Sequence, residues 1–169
     1  MSVLGFPIPA AGPVFLTALV IHVLAGITAV LAAIGAAVTR KGSPRHVRFG
    51  RTYLVGLLAV VLTMAVMAVV RWPHDVHLLA IGVVSGAAAL VGFIDRRSGR
   101  RDLVHVVAMG LSFVALLTAF YVDNGPNLPL WNLLPEWAFW VLPSLVGAPI
   151  IARAVLRRRD SRTAVGSPR

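Results

Sequence analysis

Five histidines in an otherwise apolar chain of 169 residues are its main candidates for chemistry: His22, His46, His74, His77 and His105. There is no cysteine, which excludes thiolate haem ligation, iron–sulfur clusters and zinc-finger sites. Any metal chemistry falls to imidazole, carboxylate or thioether. His22 sits well inside a long apolar run, on a helical face shared with Gly26, Ala29 and Ala33. A polar, ionisable group in a membrane span is costly, so it faces the bundle interior and has a partner there. Two readings stay open for it. One is an interhelical hydrogen bond to a backbone carbonyl or to a Ser or Thr hydroxyl; the other is a metal ligand, a haem ligand or a proton relay. His105 repeats the arrangement beside Ala108, Met109 and Ser112, nearer the end of its segment, where it can also snorkel or cap. His74 and His77 flank Asp75 in a short turn, a spacing open to a surface metal ion, although turns collect such residues for other reasons.

The elements that position these residues are five apolar stretches: 13–39, 52–70, 76–94, 103–122 and 137–156. Each meets the requirement of about 20 residues for crossing a ~30 Å hydrocarbon core, the first with length to spare for tilt. The fold class expected is therefore all-α, a transmembrane bundle of five helices. With 58% hydrophobic and 13% charged residues and a mean hydropathy of +0.85, an ordinary soluble domain is excluded. Charge supplies the orientation. Arg40, Lys41, Arg45, Arg48 and Arg51 form one cluster, Arg96, Arg97, Arg100 and Arg101 a second, and Arg153, Arg157, Arg158, Arg159, Arg162 and Arg169 a third. All three fall on one side of the expected membrane, and only Arg71 lies opposite. Positive loops resist translocation, so the N-terminus is expected outside and the C-terminus in the cytoplasm. The first stretch is followed rather than preceded by basic residues, the wrong polarity for a cleaved signal peptide, and is expected to be retained. Residues 1–156 read as one five-helix domain and 157–169 as a basic, disordered tail. Trp72, Trp131, Trp137 and Trp140 all fall at the outer interface, where amphipathic rings settle. The outer segment 123–136 is dense in turn formers and is expected to fold over the bundle, burying Leu128, Leu130, Leu133 and Leu134.

Depth decides which histidines can pair. At about 1.5 Å of rise per residue, His22 lies roughly 6 Å outside the midplane and His105 roughly 11 Å inside it, too far apart to share one iron. His22 and His77 differ by only about 6 Å in depth on the same rise. His46 precedes the second apolar stretch and reaches His105 if that helix starts early. The spacing thus permits an outer pair (His22, His77) and an inner pair (His46, His105), the arrangement a transmembrane electron carrier with b-type haem would need.

Other residues speak for packing and lipid. Ala25, Ala29 and Ala33 recur at four-residue spacing, continued by Ala37, and Gly82 and Gly86 form a G-x-x-x-G. Small residues let helices approach closely in lipid, within one chain or between copies or partner proteins. Lys41, Arg45, Arg48 and Arg51 suit anionic lipid headgroups, with Tyr53 as an interfacial anchor. The net charge of +10 would suggest nucleic acid in a soluble protein, but the basic clusters are short and interrupted by membrane spans, so no nucleic-acid partner is expected. Fifteen Arg against one Lys is the bias of a GC-rich bacterial genome, in keeping with the bacterial inner membrane.

The loop and the helix after it carry one further pattern. His22 is followed by Gly26, then Lys41-Gly42, then His46-x-x-x-Gly50-Arg51-x-Tyr53. In these residues, over about its first half, the chain resembles the uncharacterised bacterial multi-pass membrane proteins grouped as domain of unknown function 2306. Members often have Arg directly after the loop His, where this chain has Val47. The resemblance implies a multi-pass helical fold and no particular reaction.

No nucleophile–base pair, P-loop, nucleotide fingerprint, zinc-protease motif or paired catalytic carboxylate is present. None of the six acids lies mid-membrane, which disfavours a carboxylate-driven pump. The leading expectation is a non-catalytic membrane component, structural, accessory or lipid-interacting. The alternatives are a His-ligated b-type haem electron carrier and small-molecule permeation.

Overall fold

The computed structural model of the protein describes residues 2–3, 6–7, 12–98 and 102–165, with side chains over 12–96 and 103–157. Ser2–Val3 and Phe6–Pro7 pair as a minimal antiparallel ladder; the regular elements described after it are helices. Among the described residues there are five α-helices: α1 (Gly12–Val38), α2 (Pro44–Val70), α3 (Val76–Ser98), α4 (Asp102–Asn124) and α5 (Glu136–Val165). Each carries a segment long and apolar enough to cross a membrane: 12–38, 44–70, 76–96, 103–127 (which runs on past the end of α4) and 136–157. Their outward faces agree, since Val38, Leu62 and Val69 are 79%, 68% and 75% exposed. So much apolar surface suits lipid and would be a liability in water.

Hydropathy starts the second helix at 52, but α2 begins at Pro44. Capping chemistry makes the difference. The Ser43 hydroxyl accepts from the His46 backbone N–H at 3.2 Å, and Pro44 occupies the first turn, where its missing N–H costs nothing. Two polar turns are thereby added ahead of the apolar run. The other side of the same connection is closed by Lys41, whose Nζ donates to the Ala36 and Ala37 carbonyls at 2.9 and 2.7 Å. Expected at lipid headgroups, this ammonium serves the last turn of α1 instead, where helix carbonyls are otherwise unsatisfied. Gly42 takes the positive φ of 81° that turns the chain.

Helix α1 packs on α2 through the small-residue stripe. Ala29 is fully buried, with Ala25 and Ala33 beside it and Tyr53, Leu57 and Val60 opposite. The stripe ends there, because Ala37 is exposed. Gly82 and Gly86 face Val61 of α2, but a Cβ at either would stand 3.9 or 3.5 Å from its side chain, ordinary contact. Closer approaches occur at glycines the sequence reading left aside: Gly56 against Ala25 and Ala29, Gly92 against Met109, and Gly147 against Val114.

The 123–136 segment is ordered, as two single-turn 3-10 helices, Gly125–Asn127 and Trp131–Leu133. Of the four leucines expected to be buried, only Leu128 is half-buried; the other three are exposed. Leu130 and Leu133 are 82% and 81% exposed; buried Gly125 lies beneath the Phe139 ring, and Trp131 rests on Tyr121 with ring centroids 4.9 Å apart. A glycine and an aromatic pair do what the apolar count assigned to Leu. Helix α5 continues beyond 156 to Val165, so the tail expected to be disordered begins as helix; residues 166–169 lie outside the described residues.

Candidate functional site at the arginine-rich end

Helices α2 and α4 both run from the arginine-rich end toward the tryptophans, and a buried polar contact fixes their register. The Tyr53 hydroxyl and the Ser112 hydroxyl are 2.6 Å apart. Ser85 of α3 donates to the Ser112 carbonyl at 2.8 Å and lies 3.4 Å from its hydroxyl. Tyr53 is 1% exposed and both serines 0%. Tyr53 is thus a core residue tying three helices, and not the interfacial anchor expected of it. In a dry interior such hydroxyls need partners, and here they have them.

His46 precedes Tyr53 by seven residues, and His105 precedes Ser112 by seven. Seven residues are two helical turns, about 10 Å along each axis. The register that joins Tyr53 to Ser112 therefore brings the two imidazoles together, with ring centroids 6.5 Å apart and planes at 74°. This inner pair depended on an early start to α2, and the Ser43-Pro44 cap supplies it. The His46 Nδ1 is 3.0 Å from the Ala36 carbonyl of α1; the His105 Nδ1 is 2.8 Å from the Gly92 carbonyl of α3. A carbonyl only accepts, so each Nδ1 carries a proton and donates; in a neutral ring the lone pair is then left on Nε2. Both rings are half-buried, and Lys41 and Arg96 lie within electrostatic reach of His46.

The outer pair does not form. His22 turns its Nδ1 to the Val60 carbonyl at 3.1 Å and to the Thr63 hydroxyl at 3.0 Å. Thr63 in turn donates to the Ala59 carbonyl at 2.7 Å or to Val60 at 3.0 Å. Of the two readings held for His22, the geometry is that of the interhelical hydrogen bond. His77 sits instead against Trp140, ring centroids 6.2 Å apart. The structure thus gives the two outer histidines separate partners, Val60 and Thr63 for His22 and Trp140 for His77; axial depth leaves helix rotation unspecified. We expect His22→Ala to cost about 0.6–2 kcal/mol, the range of polar contacts between membrane helices. Equilibrium unfolding in mixed micelles measures it; a loss below ~0.3 kcal/mol would mean that the α1–α2 bond contributes nothing net.

Nor are His74 and His77 gathered into a ligand set. His74 is exposed, while buried Asp75 is bound by Arg71 at 3.3 Å, whose guanidinium also lies 5.7 Å from the centre of the Phe15 ring. Among the described residues no three His, Cys, Asp or Glu side chains converge as a metal site.

Two shallow, open grooves lie at the arginine-rich end. One, of about 510 Å³, is lined by Gly42, Pro44, Val47, Arg48, Arg51 and Thr52. The other, of about 460 Å³, lies on α5 between Ile150, Arg153, Ala154 and Arg157. Neither is bordered by a histidine. Arg45 is exposed and does not line either groove.

Comparison with known proteins gives no match: no family model, curated protein or solved structure is significantly similar to the chain. What the fold defines by itself is a class, a helical protein with five helices suited to spanning a membrane.

Proposed function

We propose that the protein is a non-catalytic component of the bacterial inner membrane, its N-terminus outside and C-terminus cytoplasmic, that engages anionic lipid headgroups with its arginine-rich end. The observation that carries this reading is the composition of the two grooves, each holding a pair of arginines: Arg48 with Arg51, and Arg153 with Arg157. Guanidinium forks match phosphate oxygens bidentately, and helix ends at the edge of an apolar span are where headgroup phosphates lie. The charge asymmetry supports the orientation, since basic loops stay on the cytoplasmic side. The resemblance to domain of unknown function 2306 suggested by His46-x-x-x-Gly50-Arg51 is matched by no family model and adds no reaction.

The test compares the purified protein in nanodiscs of phosphatidylglycerol and of phosphatidylcholine. Lipid retained after detergent exchange, read by native mass spectrometry, is expected to favour phosphatidylglycerol. Arg48→Gln with Arg51→Gln should weaken that preference about 30-fold, at ~1 kcal/mol for each basic residue near the surface. Equal retention of both lipids by the unaltered protein would end the lipid reading. Reporters fused after Arg169 and within 123–136 check the orientation independently, being active inside and outside respectively.

A further inference from the structure

The segment between α4 and α5 turns apolar side chains outward. Leu130 and Leu133 are 82% and 81% exposed, and Trp137, in the first turn of α5, is 66% exposed. We propose that this segment is a leaflet anchor: Leu130, Leu133 and Trp137 insert at the boundary between headgroups and acyl chains on the tryptophan side of the membrane. The proposal rests on the reading that the five helices span a bilayer.

Three observations carry it. The first is reach. One apolar span ends at 127 and the next begins at 136, so residues 128–135 must leave the membrane edge and return to it. The segment is coiled: the Asn132 N–H donates to the Leu128 carbonyl at 3.2 Å, and the Leu134 N–H to the Trp131 carbonyl at 2.9 Å. At the ~2 Å of rise per residue of a 3-10 turn, half of so short a stretch climbs only about 8 Å. The headgroup layer on either side of a ~30 Å core is itself about 5–7 Å thick. The segment therefore stays at headgroup depth, and the stack of Trp131 on Tyr121, in the last turn of α4, holds it down.

The second is backbone strain. Leu130 has φ 69° and ψ −31°, a conformation strained for a bulky L-residue. The other positive φ values among the described residues belong to Gly12 and Gly42, which adopt them without steric cost. The Leu130 side chain gives the fold little in return, being 82% exposed. Strain of this kind persists where a residue serves a contact beyond its own fold.

The third is charge. From 102 to 152 the chain has no Lys or Arg, and Asp123 and Glu136 bracket the segment. Anionic headgroups are drawn to basic residues, so nothing here selects for them. Leucine and tryptophan are what interfacial segments bury in the headgroup and acyl boundary. The contact thus fits the apolar edge of a leaflet whatever its headgroup charge, unlike the arginine-rich end.

The chain has no cysteine, so a single introduced cysteine carries a nitroxide label without background. Leu130→Cys and Leu133→Cys are placed in the full chain in nanodiscs. Power-saturation electron paramagnetic resonance then compares collisions with oxygen, which collects in hydrocarbon, and with a nickel chelate, which stays in water. The ratio of oxygen to chelate collisions should exceed unity at both positions, in phosphatidylcholine and in phosphatidylglycerol alike. Both side chains are exposed, so labelling leaves the packing intact; if one variant fails to fold, the other decides. Leu62→Cys, at a position of α2 that is 68% exposed, tests the spanning reading separately. Chelate collisions dominating there would remove the spans and the anchor with them, whereas chelate dominance at 130 or 133 alone overturns only the anchor. Exclusion of both reagents would place a protein surface on the leucines. Oxygen dominance in phosphatidylglycerol only would make the contact one of headgroup charge. Either result overturns the proposal.

Discussion

Tyr53→Ala is expected to destabilise the bundle by about 3–5 kcal/mol, the range for deleting a buried aromatic side chain. The ring is 1% exposed and packs with Ala29, Leu57, Val60, Ala89 and Leu116. Its loss opens a cavity where α1 to α4 meet and removes the 2.6 Å partner of the Ser112 hydroxyl. Tyr53→Phe separates the two contributions: it keeps the ring and should cost only about 0.6–2 kcal/mol. A double-mutant cycle with Ser112→Ala should show coupling between the hydroxyls of at least ~0.5 kcal/mol. Reversible unfolding in mixed micelles, followed by circular dichroism, measures all three. If Tyr53→Ala cost under ~1 kcal/mol, the buried ring would not hold the helices together.

Gly56→Leu should be comparably damaging, at about 3 kcal/mol or more, the upper part of the range for overfilling a packed interior. A Cβ at this position would stand 3.2 Å from the Ala25 carbonyl oxygen and 3.3 Å from both the Ala29 nitrogen and its Cβ. Two of those atoms are backbone and cannot rotate aside, so a longer side chain forces α1 away from α2. The same displacement would pull the Val60 carbonyl from His22 and weaken the α1–α2 seam along its length. Gly82→Ala is the matched comparison: its nearest neighbour is a flexible Val61 methyl at 3.9 Å, and a change within ~0.5 kcal/mol is expected. Equal effects of the two substitutions would refute the assignment of Gly56 as the close contact.

These two glycines show what was legible in the sequence and what was not. Helix number and span positions follow from hydropathy, because crossing a membrane demands long apolar runs. The alanine stripe on α1 was readable as a packing face, since its own spacing carries the signal. Its counterpart Gly56 was not, because a single glycine in an apolar run has no periodicity. Axial depth was also legible, which is why His46 and His105 were placed at one level. Rotation about the helix axis was not, and His22 and His77 take different partners. The signal that finds the inner site is relational: His46 to Tyr53 and His105 to Ser112 share one interval, a pattern visible only once two helices are known to run parallel. Tyr53 itself was misplaced because tyrosine near a basic loop reads as an interfacial ring, whereas two extra turns of α2 carry it into the interior.

The short, doubly capped connection between α1 and α2 bears on how the chain enters its membrane. Lys41 closes one helix and Ser43 opens the next within the same few residues, leaving no slack polar loop to be held while the first span waits. At ~5–20 residues added per second, the whole of α2 emerges within seconds of α1. The contact of Ala29 with Gly56 joins elements that are neighbours in time as well as in sequence. The expected first unit of assembly is therefore the hairpin of α1 and α2, with the later helices packing on it.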